Sequence, residues 1–219
     1  MRKVLLGALL TCAFLTAGAG VAQAASALGP GDTGSRVVAL QKRLSELGYF
    51  VGGRSGVYGT QTVQAVYALQ KIAGIRRTGS VGQKTRRALR DGVEPLAQFT
   101  EGRVVQIDLR RQLMLLTRDG QVDEAINVST GNGAYYGGGK RATTPTGTFS
   151  VYREIDGWHH APLGTLYRPK YVVGGIAVHG SPSVPPYAAS HGCIRVTNTA
   201  MDHLWRTGWL HRGAEIWIY

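Results

Sequence analysis

The chain has 219 residues, 43% of them hydrophobic and 17% charged, which is enough apolar material for a folded core and excludes a disordered polyelectrolyte. Its formal net charge of +12 argues against cationic partners and for anionic ones. The 31 glycines point to many turns and a β-rich portion.

Arg2 and Lys3 open the chain, Val4 to Phe14 is almost wholly apolar, and small residues follow. Ala22-Gln23-Ala24 fits a small-x-small cleavage pattern, as does Ala25-Ser26-Ala27. These are the three regions of a secretory signal peptide, expected over residues 1–24. The alternative, an uncleaved membrane anchor, is disfavoured because the apolar core is short and dissolves into Gly, Thr and Ala. Cys12 sits inside the apolar run, a poor lipidation site, and no second membrane-spanning candidate follows. Cleavage would remove Arg2, Lys3 and no acid, lowering the charge from +12 to +10. A basic protein outside the cytoplasm is expected to meet anionic wall polymers or a membrane surface rather than nucleic acid. A solvated basic surface without a specific partner is the plain alternative. Cleavage would also leave Cys193 as the last cysteine, so no internal disulfide can form. A lone thiol in an oxidising compartment invites a functional reading, against the ordinary one of a buried structural thiol.

Residues 28–92 read as helical. Val37, Leu40, Leu44 and Leu47 share one helical face, with Asp32 and Ser35 as candidate N-caps and Gly48 as the stop. Gly52, Gly53, Gly56 and Gly59 mark tight turns. Thr60 is the candidate cap of a second helix through Val63, Val66, Tyr67 and Leu69. A third, short helix runs near Gln83 to Arg90 and stops at Asp91-Gly92. Val93 to Thr100 reads as a linker.

From Glu101 the period changes to two. Val104, Ile107 and Leu109 mark one strand, and Leu113, Leu115 and Thr117 the next, with Arg118-Asp119-Gly120-Gln121 as a hairpin turn after it. Further strands are expected at Ala125–Thr130, Phe149–Tyr152, Gly175–His179, Cys193–Val196 and Glu215–Tyr219. A flexible loop is expected at Gly137-Gly138-Gly139 and a helix over residues 200–209, with Met201, Leu204 and Trp205 on its apolar face. Trp158 to Tyr171 is expected to form a substrate-covering loop. The fold expected is a small three-helix all-α domain followed by a mostly-β domain with short helices.

Two stretches carry chemistry: Ile176-Ala177-Val178-His179-Gly180 and Ser190-His191-Gly192-Cys193-Ile194-Arg195. A thiol reacts as thiolate, and its ordinary pKa of about 8.5 calls for a nearby base or positive charge. Imidazole supplies both, taking the thiol proton and returning one to a leaving amine. His179 is brought to Cys193 if their strands are neighbours. His191, two positions before Cys193, shares its face if the segment is extended. Gly192 would let a substrate backbone approach, amides around Cys193 could stabilise an oxyanion, and Arg195 could hold a carboxylate. His159, His160, His203 and His211 read as structural or exposed. Zinc accepts a His179, His191 and Cys193 ligand set, but no fourth ligand stands at a familiar spacing, so no metal is expected.

Two family resemblances follow. Gly31-Asp32-x-Gly34-x-x-Val37-x-x-Leu40-Gln41, then Tyr58-Gly59-x-x-Thr62, Leu69-Gln70 and Gly79-x-Val81, resemble a three-helix peptidoglycan-binding domain over most of residues 28–92. Ser55 departs from that pattern, standing where an Asp usually precedes the Gly. His179-Gly180 with Ser190-His191-Gly192-Cys193-x-Arg195 resembles the L,D-transpeptidase signature over about residues 101–219. Val128-Ser129-Thr130-Gly131 and Thr144-Pro145-Thr146-Gly147-x-Phe149 are similar to that family too. Ten residues separate His179 from Ser190, fewer than in the commoner family pattern, and Pro182, Pro185 and Pro186 stiffen that loop.

The resemblance implies Cys193 as nucleophile and His179 as proton acceptor and donor, with His191 as a further catalytic candidate. Gly180, Ser190, Gly192 and Arg195 would shape the pocket and oxyanion site. The donor would be a peptidoglycan tetrapeptide stem losing its terminal D-Ala, and the acceptor an amine of another stem, or water in a carboxypeptidase. It implies no cofactor and binding to stem peptides and glycan strands; the leader points to the cell wall or periplasm, and a monomer is expected. A papain-like peptidase is disfavoured because only His203 and His211 follow the cysteine. A non-catalytic wall-binding protein is the rival from another class.

Overall fold

Three helices open the part of the chain that this computed structural model describes, residues 27–219. The signal peptide expected over residues 1–24 lies outside the described residues. α1 (Ser35–Glu46), α2 (Thr60–Ile72) and α3 (Gln83–Arg90) fall where the apolar spacing put them. Their caps differ from expectation. Gly34 and Gly59 hold the N-cap positions without side-chain bonds, and Ser35 and Thr60 are the first helical residues. Asp32 instead accepts the Gly29 amide at 2.8 Å. Gly34 has φ 100°, a conformation open to glycine and costly for a capping serine or aspartate.

Two buried glutamines organise the turns between the helices. Gln41 accepts the Gly56 amide at 3.0 Å and donates to Thr62 Oγ1 at 2.9 Å. Gln70 accepts the Gly79 amide and donates to Thr85 Oγ1, both at 3.0 Å. Each fixes the turn that leads into the next helix. That is the physical content of the repeated Leu-Gln pairs. Ser55 Oγ accepts the Val57 amide at 3.2 Å, so a hydroxyl closes this turn.

β1 (Arg103–Asp108), β2 (Leu113–Arg118) and β3 (Gln121–Asn127) form an antiparallel meander. Asp119 and Gly120, with φ 46° and 81°, make the two-residue turn between β2 and β3. β4 (Tyr135–Tyr136) and β5 (Lys140–Arg141) pair as a small hairpin. Its tip, Gly137–Gly139, is a 3-10 turn where a flexible loop was expected. β6 (Gly147–Ser150), β7 (Arg153–Glu154), β8 (Trp158–Ala161), β9 (Gly164–Val173), β10 (Ile176–Gly180) and β11 (Ile194–Val196) follow. α4 (Asn198–Thr207) and β12 (Glu215–Ile218) close the chain. Thr197 caps α4 by accepting the Ala200 amide at 3.1 Å, and left-handed Gly208 ends it.

One sheet runs β3-β2-β1-β12-β6, with β12 parallel to β1; the other runs β11-β10-β9-β7, with β8 on β9. The substrate-covering loop expected at Trp158–Tyr171 is the β8–β9 hairpin. Trp158 and His160 pair with Tyr167 and Thr165 on one face and His159 with Leu166 on the other, and aromatic content alone does not separate a lid from a hairpin.

β2 differs from expectation in a way that matters. Read as one apolar face, it is buried on both. Met114 and Leu116 join Val178, Ile194, Met201 and Leu204 in the core between the sheets and α4. Leu113 and Leu115, with Ala125, join Leu44, Val66 and Leu69 of the helical module. The run Leu-Met-Leu-Leu is the signature of such a strand. Residues 93–100, without helix or strand, cross between the two parts, and Tyr49 Oη donates to the Val93 carbonyl at 2.9 Å.

Lys71 on α2 is buried in this seam. It donates to the Gln112 carbonyl at 2.7 Å and to Asn127 Oδ1. Desolvation, reinforced by Arg77, pulls its ammonium down to about 6, with Asp108 opposing. An unfolded lysine keeps its proton to about pH 10.4, so between these values the unfolded chain binds more protons and stability rises with pH. Urea unfolding between about pH 6.5 and 8.5 should therefore show a rise of up to about 1.4 kcal/mol per pH unit. In Lys71→Met that slope should flatten.

Candidate active site

β10 and β11 are parallel neighbours with His179 opposite Arg195. Paired residues in adjacent parallel strands point to one side, and residues two apart along a strand share a side. Cys193, one residue before β11, is therefore on the face of Arg195 and diagonal to His179. The alternate residues Val178, Ile194 and Val196 point into the core between the sheets. The apolar strand thus fixes which way the reactive face looks.

His179 is only 4% exposed. Its Nδ1 lies 2.8 Å from the Gly180 carbonyl. A carbonyl only accepts, so Nδ1 carries the proton and Nε2 keeps a lone pair. Burial pulls the imidazole down to about 4, the Gly180 hydrogen bond opposes this, and Arg195 pushes it lower. Cys193 is half-buried; its Sγ donates to the Gly175 carbonyl at 3.7 Å. Burial pushes the thiol up, while the Ala177 backbone bond and Arg195 pull it down. At neutral pH the pair is thiol and neutral imidazole. Among the described residues the Arg195 guanidinium has no hydrogen-bond or ion-pair partner and is open to a ligand.

The stretch Ser190–Cys193 is a tight turn, so the condition of an extended segment that would have put His191 on the face of Cys193 is not met. Buried Ser190 Oγ donates to the Cys193 carbonyl at 2.5 Å and accepts the Gly192 amide at 3.0 Å. Gly192 has φ 134°, and a Cβ there would lie 2.7 Å from Ile176 Cδ1 and 2.9 Å from the Thr143 carbonyl. The space is filled by the protein itself, so this glycine serves the turn rather than a substrate backbone. Gly180 is alike: a Cβ would meet Asn198 Oδ1 at 2.6 Å and Tyr167 at 2.7 Å. His191 is exposed and edge-on to Tyr136 at 5.0 Å, on the β4–β5 hairpin. The structure therefore brings Cys193, His179 and Arg195 onto one face, puts Ser190 and Gly192 into the turn below the thiol, and sets His191 against Tyr136.

Sequence reasoning gave no role to the residues that hold this turn. Thr144 Oγ1 donates to the Gly192 carbonyl at 2.6 Å and accepts the Gly131 amide at 2.9 Å. The Thr130 carbonyl accepts the amides of Ala189 and Ser190 at 3.0 and 2.9 Å, and Ser129 exchanges backbone bonds with Arg195. Gly131 has no room for a side chain against the Ala142 carbonyl. On the other side, Ala161, Leu166, Tyr171 and Ala177 form a small apolar cluster on which Cys193 packs. The β8–β9 hairpin thus lies beside the thiol.

Comparison with known proteins agrees with this architecture. The family model of the L,D-transpeptidase catalytic domain matches residues 102–218. The chain belongs to that family. A peptidoglycan-binding domain model matches residues 33–89. A solved L,D-transpeptidase from Xylanimonas cellulosilytica is 48% identical with a TM-score of 0.83, covering 87% of this chain and 96% of that one. One from Stackebrandtia nassauensis, 21% identical with a TM-score of 0.50 over 87% of this chain and 93% of its own, shares the fold. The N-acetylmuramoyl-L-alanine amidase CwlL of Bacillus licheniformis is 51% identical over 61 residues. That stretch is 27% of this chain and 17% of the amidase, so this chain spans a small part of the curated relative it matches.

In this L,D-transpeptidase-family chain the segments Val128–Gly131 and Thr144–Gly147 are the frame of the cysteine turn. The family pattern was their only sequence signal. Thr144→Val would strand the Gly192 carbonyl and the Gly131 amide, and should lower stability by about 1–3 kcal/mol. A urea unfolding curve measures it.

Proposed function

We propose that the chain is an exported L,D-transpeptidase that removes the terminal D-Ala of a peptidoglycan tetrapeptide and transfers the remaining acyl group to an amine of another stem. The observation that carries this reading is the single face formed by Cys193, His179 with a bare Nε2, and Arg195, unpaired among the described residues, in a chain of this family. The leader-like residues 1–24 support export to the cell wall or periplasm. The match to a peptidoglycan-binding domain supports peptidoglycan as the partner.

The steps follow from the protonation states. His179 Nε2 takes the thiol proton as Sγ attacks the carbonyl of the bond between the diamino acid and D-Ala. Since the imidazole is far less basic than the thiolate, proton removal is concerted with attack rather than completed before it. The Gly192 amide is engaged by Ser190, which leaves the amide of Cys193 as the donor for the oxyanion. The imidazolium gives its proton to the D-Ala nitrogen, the C–N bond breaks, and a thioester remains. An amine attacks the thioester, its proton passes to His179, and the sulfur leaves and is reprotonated. Arg195 penalises the imidazolium while vacant. A substrate carboxylate paired with it offsets that penalty and strengthens the base as substrate binds.

Mature protein incubated with a disaccharide–tetrapeptide and followed by intact mass spectrometry tests this. Loss of D-Ala with a cross-linked dimer, absent in Cys193→Ala, is the expected result. Loss of D-Ala without a dimer would make the chain a carboxypeptidase, and no change in substrate or enzyme would favour a wall-binding protein. His179→Gln should lower kcat on the order of 10²–10⁴-fold. With the base already neutral at pH 7, the acid limb of kcat/KM should fall below pH 6 rather than near the ordinary histidine value, as a pH–rate profile reads.

A further inference from the structure

The helical module reaches the thiol turn by two hydrogen-bonded routes. One goes through the loop between His179 and Ser190. Gln64 on α2 donates to the Val184 carbonyl at 3.1 Å, and Arg77, just past α2, donates to the Pro186 carbonyl at 2.7 Å. Asn127 on β3 donates to Gln64 Oε1 at 2.5 Å and to the Val184 carbonyl at 3.4 Å. Ser129 Oγ donates to the Tyr187 carbonyl at 2.8 Å. The other route runs under the turn. Lys71 donates to the Gln112 carbonyl at 2.7 Å. The Gln112 side chain donates to Thr130 Oγ1 at 2.7 Å and accepts the Thr130 amide at 2.8 Å. The Thr130 carbonyl then takes the Ser190 amide at 2.9 Å, and Ser190 Oγ holds the Cys193 carbonyl at 2.5 Å.

A module that served only to bind wall would need a linker, not side chains fixed to two carbonyls of the loop beside the nucleophile. Those two carbonyls lie in a segment that is neither helix nor strand, so no ladder bonds hold it there. Pro185 and Pro186 have no amide protons to anchor it from within. Its place depends on donors from outside, and α2 and the turn after it provide two of them.

We propose that Gln64, Lys71 and Arg77 are positioning residues of the thiol site, so that the helical module is part of the catalytic unit as well as a binding domain. The proposal rests on the reading of Cys193 as the reacting group and adds to it a role for the module. Bonding geometry at a nucleophile is sensitive, since misplacement by about 1 Å costs on the order of 10²-fold in rate.

The test uses the full mature chain with Gln64→Leu, Arg77→Met, their combination, and Arg77→Lys, which keeps a donor. Lys71 is left intact because its removal mixes folding with positioning. Cys193 is titrated, and two rates are taken per titrated thiol: iodoacetamide alkylation against pH, and D-Ala release with its KM. In the double variant the midpoint of the alkylation profile should move by about half a pH unit or more. D-Ala release should fall on the order of 10-fold in kcat with little change in KM. Arg77→Lys should recover most of both. A lower thermal midpoint with an unchanged alkylation profile and unchanged rate per thiol would overturn the proposal and leave a structural role. If the parent chain released no D-Ala, the functional reading would fall, yet the alkylation profiles would still decide whether α2 positions the thiol.

Discussion

The burial of β2 on both faces is the constraint on which the rest of the molecule depends. Met114 and Leu116 pack into the core between the sheets, and Leu113 and Leu115 into the helical module. Burying one leucine contributes roughly 1.5–3 kcal/mol. Separating module from sheet would expose two of them, together with Ala125 and the apolar face of α2. It would also strip Lys71 of the Gln112 carbonyl and Asn127. The helical module is therefore held in one orientation, and whatever it grips is presented to the thiol face at a fixed angle.

The thiol site inherits its order from that arrangement. The parallel pairing of β10 and β11 sets His179, Arg195 and Cys193 on one side, and the core residues between them leave no other register. The turn carrying Ser190 and Gly192 is then fastened from below by Thr130, Gly131 and Thr144. The electrostatic outcome is a pair that rests uncharged. A buried imidazole held low and a half-buried thiol held high do not exchange a proton in the ground state. They do so only as negative charge moves onto the substrate. Such a site keeps its sulfur as thiol, which slows its oxidation.

Much of this was legible in the sequence, and the exceptions have physical reasons. Val37, Leu40, Leu44 and Leu47 gave α1 because a helix of a small module has one buried stripe. The caps failed because glycines, Gly34 at positive φ and Gly59 in extended backbone, took the positions where a hydrophilic side chain was expected. That Cys193 and Arg195 share a face was legible because strand parity is a local property, whereas His179 joins them only through the pairing of β10 with β11. The bend at Gly192 broke that parity for His191. Gly192 was singled out as room for a substrate backbone and Gly180 only through the resemblance; the room they leave is filled by Ile176, Thr143, Asn198 and Tyr167 from distant parts of the chain. Gln64, Lys71 and Arg77 were illegible because their partners are main-chain carbonyls and the Asn127 side chain far along the chain, to which no residue type points.

The charge follows the same division as the fold. Residues 28–92 hold eleven Lys and Arg against three Asp and Glu, while residues 93–219 hold twelve against ten. The positive field therefore comes from the helical module, with exposed Lys84, Arg87 and Arg90 along α3. Had the module been tethered by a free linker, this field would only raise the local concentration of an anionic wall. Because it is locked to β2 and β3, it also orients the approach, since a fixed dipolar distribution turns as well as attracts a diffusing partner. Lys71 is the exception among the module's cations: its ammonium is turned inward and desolvated to the point of giving up its proton. That lysine adds nothing to the field at neutral pH. Its place in the seam is explained by the hydrogen bonds it gives to the catalytic sheet.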